Sequence, residues 1–290
     1  MSGSRYDQEL LEDRRRPFGE NTMEAHRESM NEAFLKTVGS WISGVVDDWV
    51  RRGVCKNTWR EPLVAAASAA DPLFPKLREA VGPEHAMPED LLQGARSVMV
   101  FFLPFQEWVG KENDEARGFS ARSWAESYVV TNQLIVAIND RLTEMVEAMD
   151  YLAAPTPPTH NFDQERLVSG WSHKHIATIA GLGTFGHNHL LITPSGCCGR
   201  LGSLVTTMPI AATPRPDREN CLVKSGHKCH ACVSKCRYGA LFKTHFDRQA
   251  CYRQCLVNDA HFRDLPLTDV CGKCACGVPC SHEIPEGDTP

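Results

Sequence analysis

Residues 221–236 read CLVKSGHKCHACVSKC and residues 271–280 read CGKCACGVPC. Of the chain's thirteen cysteines, ten fall in its last seventy residues. Eight of these form two sets of four: Cys221, Cys229, Cys232 and Cys236, then Cys251, Cys271, Cys274 and Cys280. Eight thiolates in two interleavable sets match the ligand count of two 4Fe–4S clusters. In the bacterial two-cluster run, three cysteines serve one cluster and the fourth crosses to the other. Here Cys229-x2-Cys232-x3-Cys236 fits the last three positions of that run, and Gly226 stands where the first is due. Cys221 takes that place through a longer loop. The expected ligand sets are therefore Cys221, Cys229, Cys232 and Cys280 on one cluster, and Cys236, Cys251, Cys271 and Cys274 on the other. A competing reading uses two CxxC pairs for one tetrahedral zinc; it leaves four well-spaced cysteines without a role. Cys255 and Cys276 lie near assigned ligands and are alternates, or small buried side chains. The vicinal Cys197 and Cys198 read as packing residues or as contacts to a cofactor.

A chain of 290 residues has room for one large domain and one small one. Its 42% hydrophobic and 23% charged content are those of a soluble globular protein. The first 22 residues are charged and carry no apolar run, which predicts no signal peptide. Many cysteines without such a signal point to a reducing, cytoplasmic compartment, where thiols bind metal. The charge-free stretch Ile176–Gly199 carries five glycines, two histidines and an asparagine. It makes a poor membrane helix, so burial or contact with a large ligand accounts for it. A net charge of −5 disfavours phosphate-backbone binding, and nucleic acid is not expected as a partner. From Thr213 to Cys255 there are nine Lys/Arg against three Asp/Glu. That local excess suits the negative charge of thiolate-ligated clusters.

The remaining pattern predicts the larger domain. Residues 23–53 read as a helix with Phe34, Val38, Trp41, Ile42, Val45, Val46 and Trp49 on one stripe. SVMVFFL (97–103) reads as a buried strand, and 121–149 as a second long helix. Pro155, Pro157 and Pro158 predict a loop. SHKHIATIA reads as a short helix before a glycine-rich turn, with strands at His189–Thr193 and Leu201–Thr207. Pro209, Pro214 and Pro216 mark a boundary. This order predicts an α/β sandwich for residues 1–210 and a small cysteine domain for 211–290. Gly181-Leu-Gly183-Thr-Phe-Gly186 satisfies G-x-G-x-x-G, but it follows a helix, and no acidic residue sits about twenty positions on, as a dinucleotide site needs. The glycines still imply close approach of a ligand or a packed helix. His173, His175, His187 and His189 flank the turn as hydrogen-bonded structural residues or as metal ligands.

WSHKHIATIAGLGTFGHNHLLI (171–192), then CCGRLGSLVTT (197–207), then the cysteine sets together resemble the epoxyqueuosine reductase family and its relatives, over about residues 165–281. The reductive dehalogenases are similar in plan. The resemblance implies a nitroreductase-like α/β sandwich followed by a two-cluster ferredoxin-like domain. It implies cobalamin or another corrinoid between them, in contact with His173, His175, Gly181, Gly183, Phe185, Gly186 and Asn188. A low-potential electron donor would feed the clusters, then cobalt, then a small substrate. Alternatively, the chain would reduce or deliver a corrinoid for a partner enzyme. ACYRQCLVN (250–258) is similar to the stretch holding the family's isolated ligand, which favours Cys251 over Cys255. His187 stands where the family usually has lysine, and Arg237 where it usually has proline. Ser127-Tyr128-Val129 stands where an acidic proton donor precedes Tyr-His. Tyr128, with Ser127, is then the candidate proton donor. By analogy the assembly is a homodimer.

Overall fold

The computed structural model describes residues 20–287, of which 20–30 are described by backbone alone. The sequence reading of the first nineteen positions lies outside the described residues. A long helix, α1 (Glu20–Arg51), leads to β1 (Leu63–Ser68) and β2 (Ser97–Pro104). Then come α2 (Glu107–Glu115), α3 (Arg122–Glu147), β3 (Ala153–Pro155), α4 (His173–Ile179) and β4 (Gly199–Thr206). The cysteine-rich segment carries α5 (Ala231–Lys235), α6 (Arg248–His261) and a 3-10 turn at Lys273–Ala275.

Four strands form one sheet in the order β1-β2-β4-β3, every neighbour antiparallel. The central strand β2 is buried along its whole length. Alternation explains why its sequence is uniformly apolar. Met99, Phe101 and Leu103 point to one layer, and Val98, Val100 and Phe102 to the other. The first layer is α1, through Leu35, Val38, Ile42 and Val46, with α3, through Leu134, Ile135, Ile138 and Leu142. The second is α4, through Ile176 and Ala177, with Trp171 and Phe74. A mixed α/β sandwich results. Gly202 on β4 leaves room for the Phe101 ring, since a Cβ there would lie 2.2 Å from it.

Both long helices form with ends within three residues of those expected. The expected strand His189–Thr193 is reduced to Leu191–Ile192, paired with Thr184–Phe185 in a small ribbon. The turn residues ahead of it cause this, with His189 at φ 58°. β1 (LVAAAS) carries no strand signal, because three alanines have low β propensity. β3 lies where the prolines predict only loop; Pro155 ends an edge strand, which tolerates a missing donor.

Beyond Pro209 the chain stays fastened to the sheet. Thr213 N–H donates to Ala66 O at 2.8 Å, and Ala66 N–H donates to Thr213 Oγ1 at 3.1 Å. The cysteine segment docks on the C-terminal end of α2 through partly buried polar bonds. Asn113 Nδ2 donates to Cys271 O at 3.0 Å, and Lys235 pairs with Asp114 at 2.5 Å. The buried Lys273 ammonium donates to the carbonyls of Asn113 and Ala116. Among the described residues no helix is long and apolar enough to cross a membrane.

Candidate functional site

Cys221, Cys229, Cys232 and Cys280 line one cavity, alongside His187, Asn188 and His230. Burial pushes the Cys232 thiol up to about 11, with Cys221 and Cys229 adding to it. Cys280 is raised chiefly by its hydrogen bond with Cys197, then by burial, with Cys232 and Cys221 contributing. The other four also gather. Burial pushes Cys271 up to about 12, and Cys251 and Cys236 raise it further. Cys274 is raised by burial and by Cys271, Cys251, Cys197 and Cys236. Cys232, Cys271, Cys274 and Cys280, raised in this way, become good ligands once a cation stabilises the thiolate. The donor chemistry of each quartet therefore fits a cationic iron–sulfur core. The first expected set shares one cavity, and the thiols that act on Cys271 and Cys274 include the other members of the second.

Local geometry explains the gathering. His230, at φ 93°, turns the chain into α5 just before Cys232, and Gly272, at φ 70°, does the same before Cys274. A Cβ on Gly272 would lie 2.2 Å from the Trp124 ring. Two backbone donors reach the sulfurs: His187 N–H to Cys221 Sγ at 3.4 Å, and Leu241 N–H to Cys236 Sγ at 3.3 Å. Such bonds tune cluster potentials. All thirteen thiols are free. Among the described residues no three His, Cys, Asp or Glu side chains converge on a single-ion site; a lone zinc requires its thiolates at about 2.3 Å from one point. On α6, Cys255 lies one turn from Cys251 and shares a hydrogen bond with it that lowers Cys251 to about 7. Cys198 and Cys276 pack with sulfurs 4.0 Å apart.

The glycine turn faces a cavity of about 770 Å³. Phe185, Gly186, His187 and His189 line it from one side, Lys174 and His175 from α4, and Cys251 and Cys255 from α6. Cys251 of the second set thus faces this space. A smaller cavity of about 360 Å³ adjoins it, lined by Trp171, His173, Cys197 and Arg200 among others. The two share Phe162, Ser169, Ser172 and Lys174.

The glycines divide the work. A Cβ on Gly181 would lie 2.5 Å from Pro214 O, and one on Gly183 2.2 Å from Ile192 O. Both make room for neighbouring main chain. Gly186 lines the large cavity. The turn joins α4 to a two-stranded ribbon, so it lacks the strand-to-helix frame of a dinucleotide fingerprint. Asn188 is buried beside the first quartet, donating to Cys274 O at 3.2 Å.

The four histidines spread apart. His173 is bonded to Pro157 O at 2.9 Å and Ser203 Oγ at 3.1 Å, and His175 Nδ1 to Ser172 Oγ at 2.8 Å. His187 bonds Phe242 O, and His189 stacks on Phe246. Burial lowers His173 and His175 to about 4, so both are neutral near pH 7. The unfolded chain takes these protons below 6.5, the folded chain only near 4. The stability they confer is complete above pH 6.5 and is lost as pH falls towards 4. For His173 the loss is ~3 kcal/mol. Denaturant unfolding of wild type and His173→Gln at about pH 7 and about pH 4.5 reads it; the wild type is expected to lose more stability than the variant.

Ser127 Oγ donates within α3 to Ser123 O at 2.6 Å. The Tyr128 hydroxyl donates to Asp269 Oδ1 at 2.8 Å, and burial raises its pKa. The Arg200 guanidinium lies 4.3 Å from the Tyr128 ring centre and donates to Asn132 Oδ1 at 2.7 Å. Arg200 therefore stands between Tyr128 and the smaller cavity. Sequence reasoning missed Lys174, Arg200, Arg248 and Asp269. They come from separate segments and share no spacing that a motif could carry.

No protein-family model matches the chain, and no curated protein matches it. Solved structures do. A selenomethionine-labelled epoxyqueuosine reductase matches with a TM-score of 0.50 and 17% identity, over 83% of this chain and 66% of that one. The epoxyqueuosine reductase from Streptococcus thermophilus gives 0.49 and 15%, over 90% and 68%. An epoxyqueuosine reductase solved with a tRNA-Tyr epoxyqueuosine-modified stem loop gives 0.48 and 16%, over 77% and 57%. The fold is similar to that of epoxyqueuosine reductase, and the chain spans 66% of the first of these structures.

Proposed function

We propose that the chain is a corrinoid-dependent iron–sulfur reductase acting on a small substrate. Residues 1–210 would form a nitroreductase-like corrinoid domain and 211–290 a ferredoxin-like domain with two 4Fe–4S clusters. One observation carries the reading: Cys251, an expected cluster ligand, lines a cavity of about 770 Å³ together with the glycine turn.

When bound, the clusters supply one-electron transfer and the corrinoid a redox-active cobalt. Cys221, Cys229, Cys232 and Cys280 would hold one cluster, and Cys236, Cys251, Cys271 and Cys274 the other. His175, Phe185 and Gly186 would bind the corrinoid, with Lys174 and Arg248 from neighbouring walls. His173 and His175, neutral by burial, add no charge to that contact. The Tyr128 hydroxyl holds a proton against Asp269, and the buried Ser127 stays within its helix. The basic segment from Thr213 to Cys255 would receive a low-potential electron donor. The setting would be cytoplasmic and the assembly a homodimer, and the net charge of −5 disfavours nucleic acid as a partner.

A second reading has support in Ser127, which leaves no carboxylate at the position of the expected acid. The chain would then reduce or deliver a corrinoid without turning over a substrate. Oxygen-free protein supplied with cobalamin is expected to retain about one cobalt per chain through gel filtration, a count resting on one corrinoid per cavity. No retained cobalt would contradict both readings. Tyr128→Phe separates them: the reductase reading predicts turnover falling roughly 10²-fold or more with cobalt content unchanged. The handling reading predicts unchanged cobalamin reduction and no turnover to lose.

A further inference from the structure

The smaller cavity carries a cationic anchor with no acidic counterpart in its wall. Its lining holds Lys174 and Arg200 and no Asp or Glu, and the larger cavity has no carboxylate in its lining either. Lys174 is already committed to His189 O at 2.9 Å. Arg200 is held more firmly. Its backbone lies in β4, opposite Leu103 of the central strand. Its guanidinium rests on the Tyr128 ring and spends one donor on Asn132. Among the described residues it forms no ion pair. Asp269 is the carboxylate nearby, but it accepts the Tyr128 hydroxyl and is not part of the cavity wall. A guanidinium has five donors in a planar fork that matches a carboxylate in two parallel bonds. Around it the wall is apolar: Phe102, Trp171, Leu190, Leu191 and Leu201.

We infer that Arg200 anchors an anionic group of the substrate, and that the substrate class is a small, largely apolar carboxylate held in the cavity of about 360 Å³. The inference deepens the proposed reduction and rests on it for the word substrate. The carboxylate would face Arg200 while the apolar body fills the space against Trp171 and Phe102. His173 beside it, neutral by burial, adds no further charge to the wall. Rigid placement on a strand makes the contact selective for charge.

Benzoate and benzamide share shape and differ in charge, so they probe the claim. Isothermal titration of the anaerobic holoprotein, at matched ionic strength, is expected to show benzoate binding about tenfold tighter or more, the scale of a charge-assisted bidentate contact. Arg200→Gln is expected to bring benzoate down to the benzamide level. Arg200→Lys is expected to keep part of the preference. Iron content of each variant reports intact folding, and Arg141→Gln, on an exposed part of α3, is expected to change nothing. Equal affinity for the two probes overturns the inference, as does failure of millimolar benzoate to bind. So does a benzoate preference that survives Arg200→Gln in folded protein. The titration requires no cobalt: loss of cobalamin binding with the benzoate preference intact defeats the corrinoid reading alone.

Discussion

Cys251→Ser protein purified without oxygen is expected to keep most of its iron, whereas Cys251→Ser/Cys255→Ser is expected to fall from about eight irons per chain to about four. The asymmetry follows from α6. Cys255 lies one helical turn beyond Cys251, shares a hydrogen bond with it, and is itself raised chiefly by that bond and by burial, with the neighbouring Cys271 contributing. Its sulfur can therefore stand in for a missing ligand. Cys232 has no such neighbour on its own helix. It sits in the five-residue α5, between Cys229 and Cys236, and each of those already serves a quartet. Cys232→Ala alone is thus expected to halve the iron. Colorimetric iron and acid-labile sulfide on the three variants read the result. Full iron in Cys232→Ala would break the assignment of that quartet. A half-empty Cys251→Ser single variant would remove Cys255 from the role of alternate.

Phe101→Ala is expected to cost ~3–5 kcal/mol, the largest single loss in the sheet. Phe101 is fully buried in the central strand, between β1 and β4. Its ring fills the space that Gly202 leaves open on β4. Strands on both sides and α1 and α3 above hold that space, so it cannot collapse around an alanine. The residual cavity adds to the lost transfer energy. Val136→Ala, at 45% exposure on α3, is expected to stay within ~0.5 kcal/mol of wild type. Thermal unfolding of both holoproteins checks the contrast. Equal midpoints would mean that the face carrying Phe101 is not the core.

What could be read from sequence was what local spacing encodes. SVMVFFL announces a strand covered on both faces, because a run this apolar has no side for solvent; the structure carries it one residue further, through Pro104. The two long helices announce themselves through stripes at three and four. Sequence offers candidate quartets because cluster ligands are set by short loops, and Cys229, Cys232 and Cys236 occupy the required offsets. LVAAAS was illegible: its place in the sheet comes from pairing with β2, not from its own propensity. The glycines of AGLGTFG were legible as tight places but not as what they touch, since Pro214 and Ile192 are distant or irregular in sequence. The cavities were hidden for a stronger reason. Lys174, Arg200 and the pair Arg248 and Cys251 sit on three different elements, and only the fold makes them neighbours.

The most direct test of the account is the iron, sulfide and low-temperature EPR signature of oxygen-free, dithionite-reduced protein. About eight irons and eight sulfides per chain, with two reduced clusters close enough to broaden each other's signals, is the predicted outcome. A colourless protein whose thiols carry one zinc, or iron sufficient for a single cluster, would contradict it.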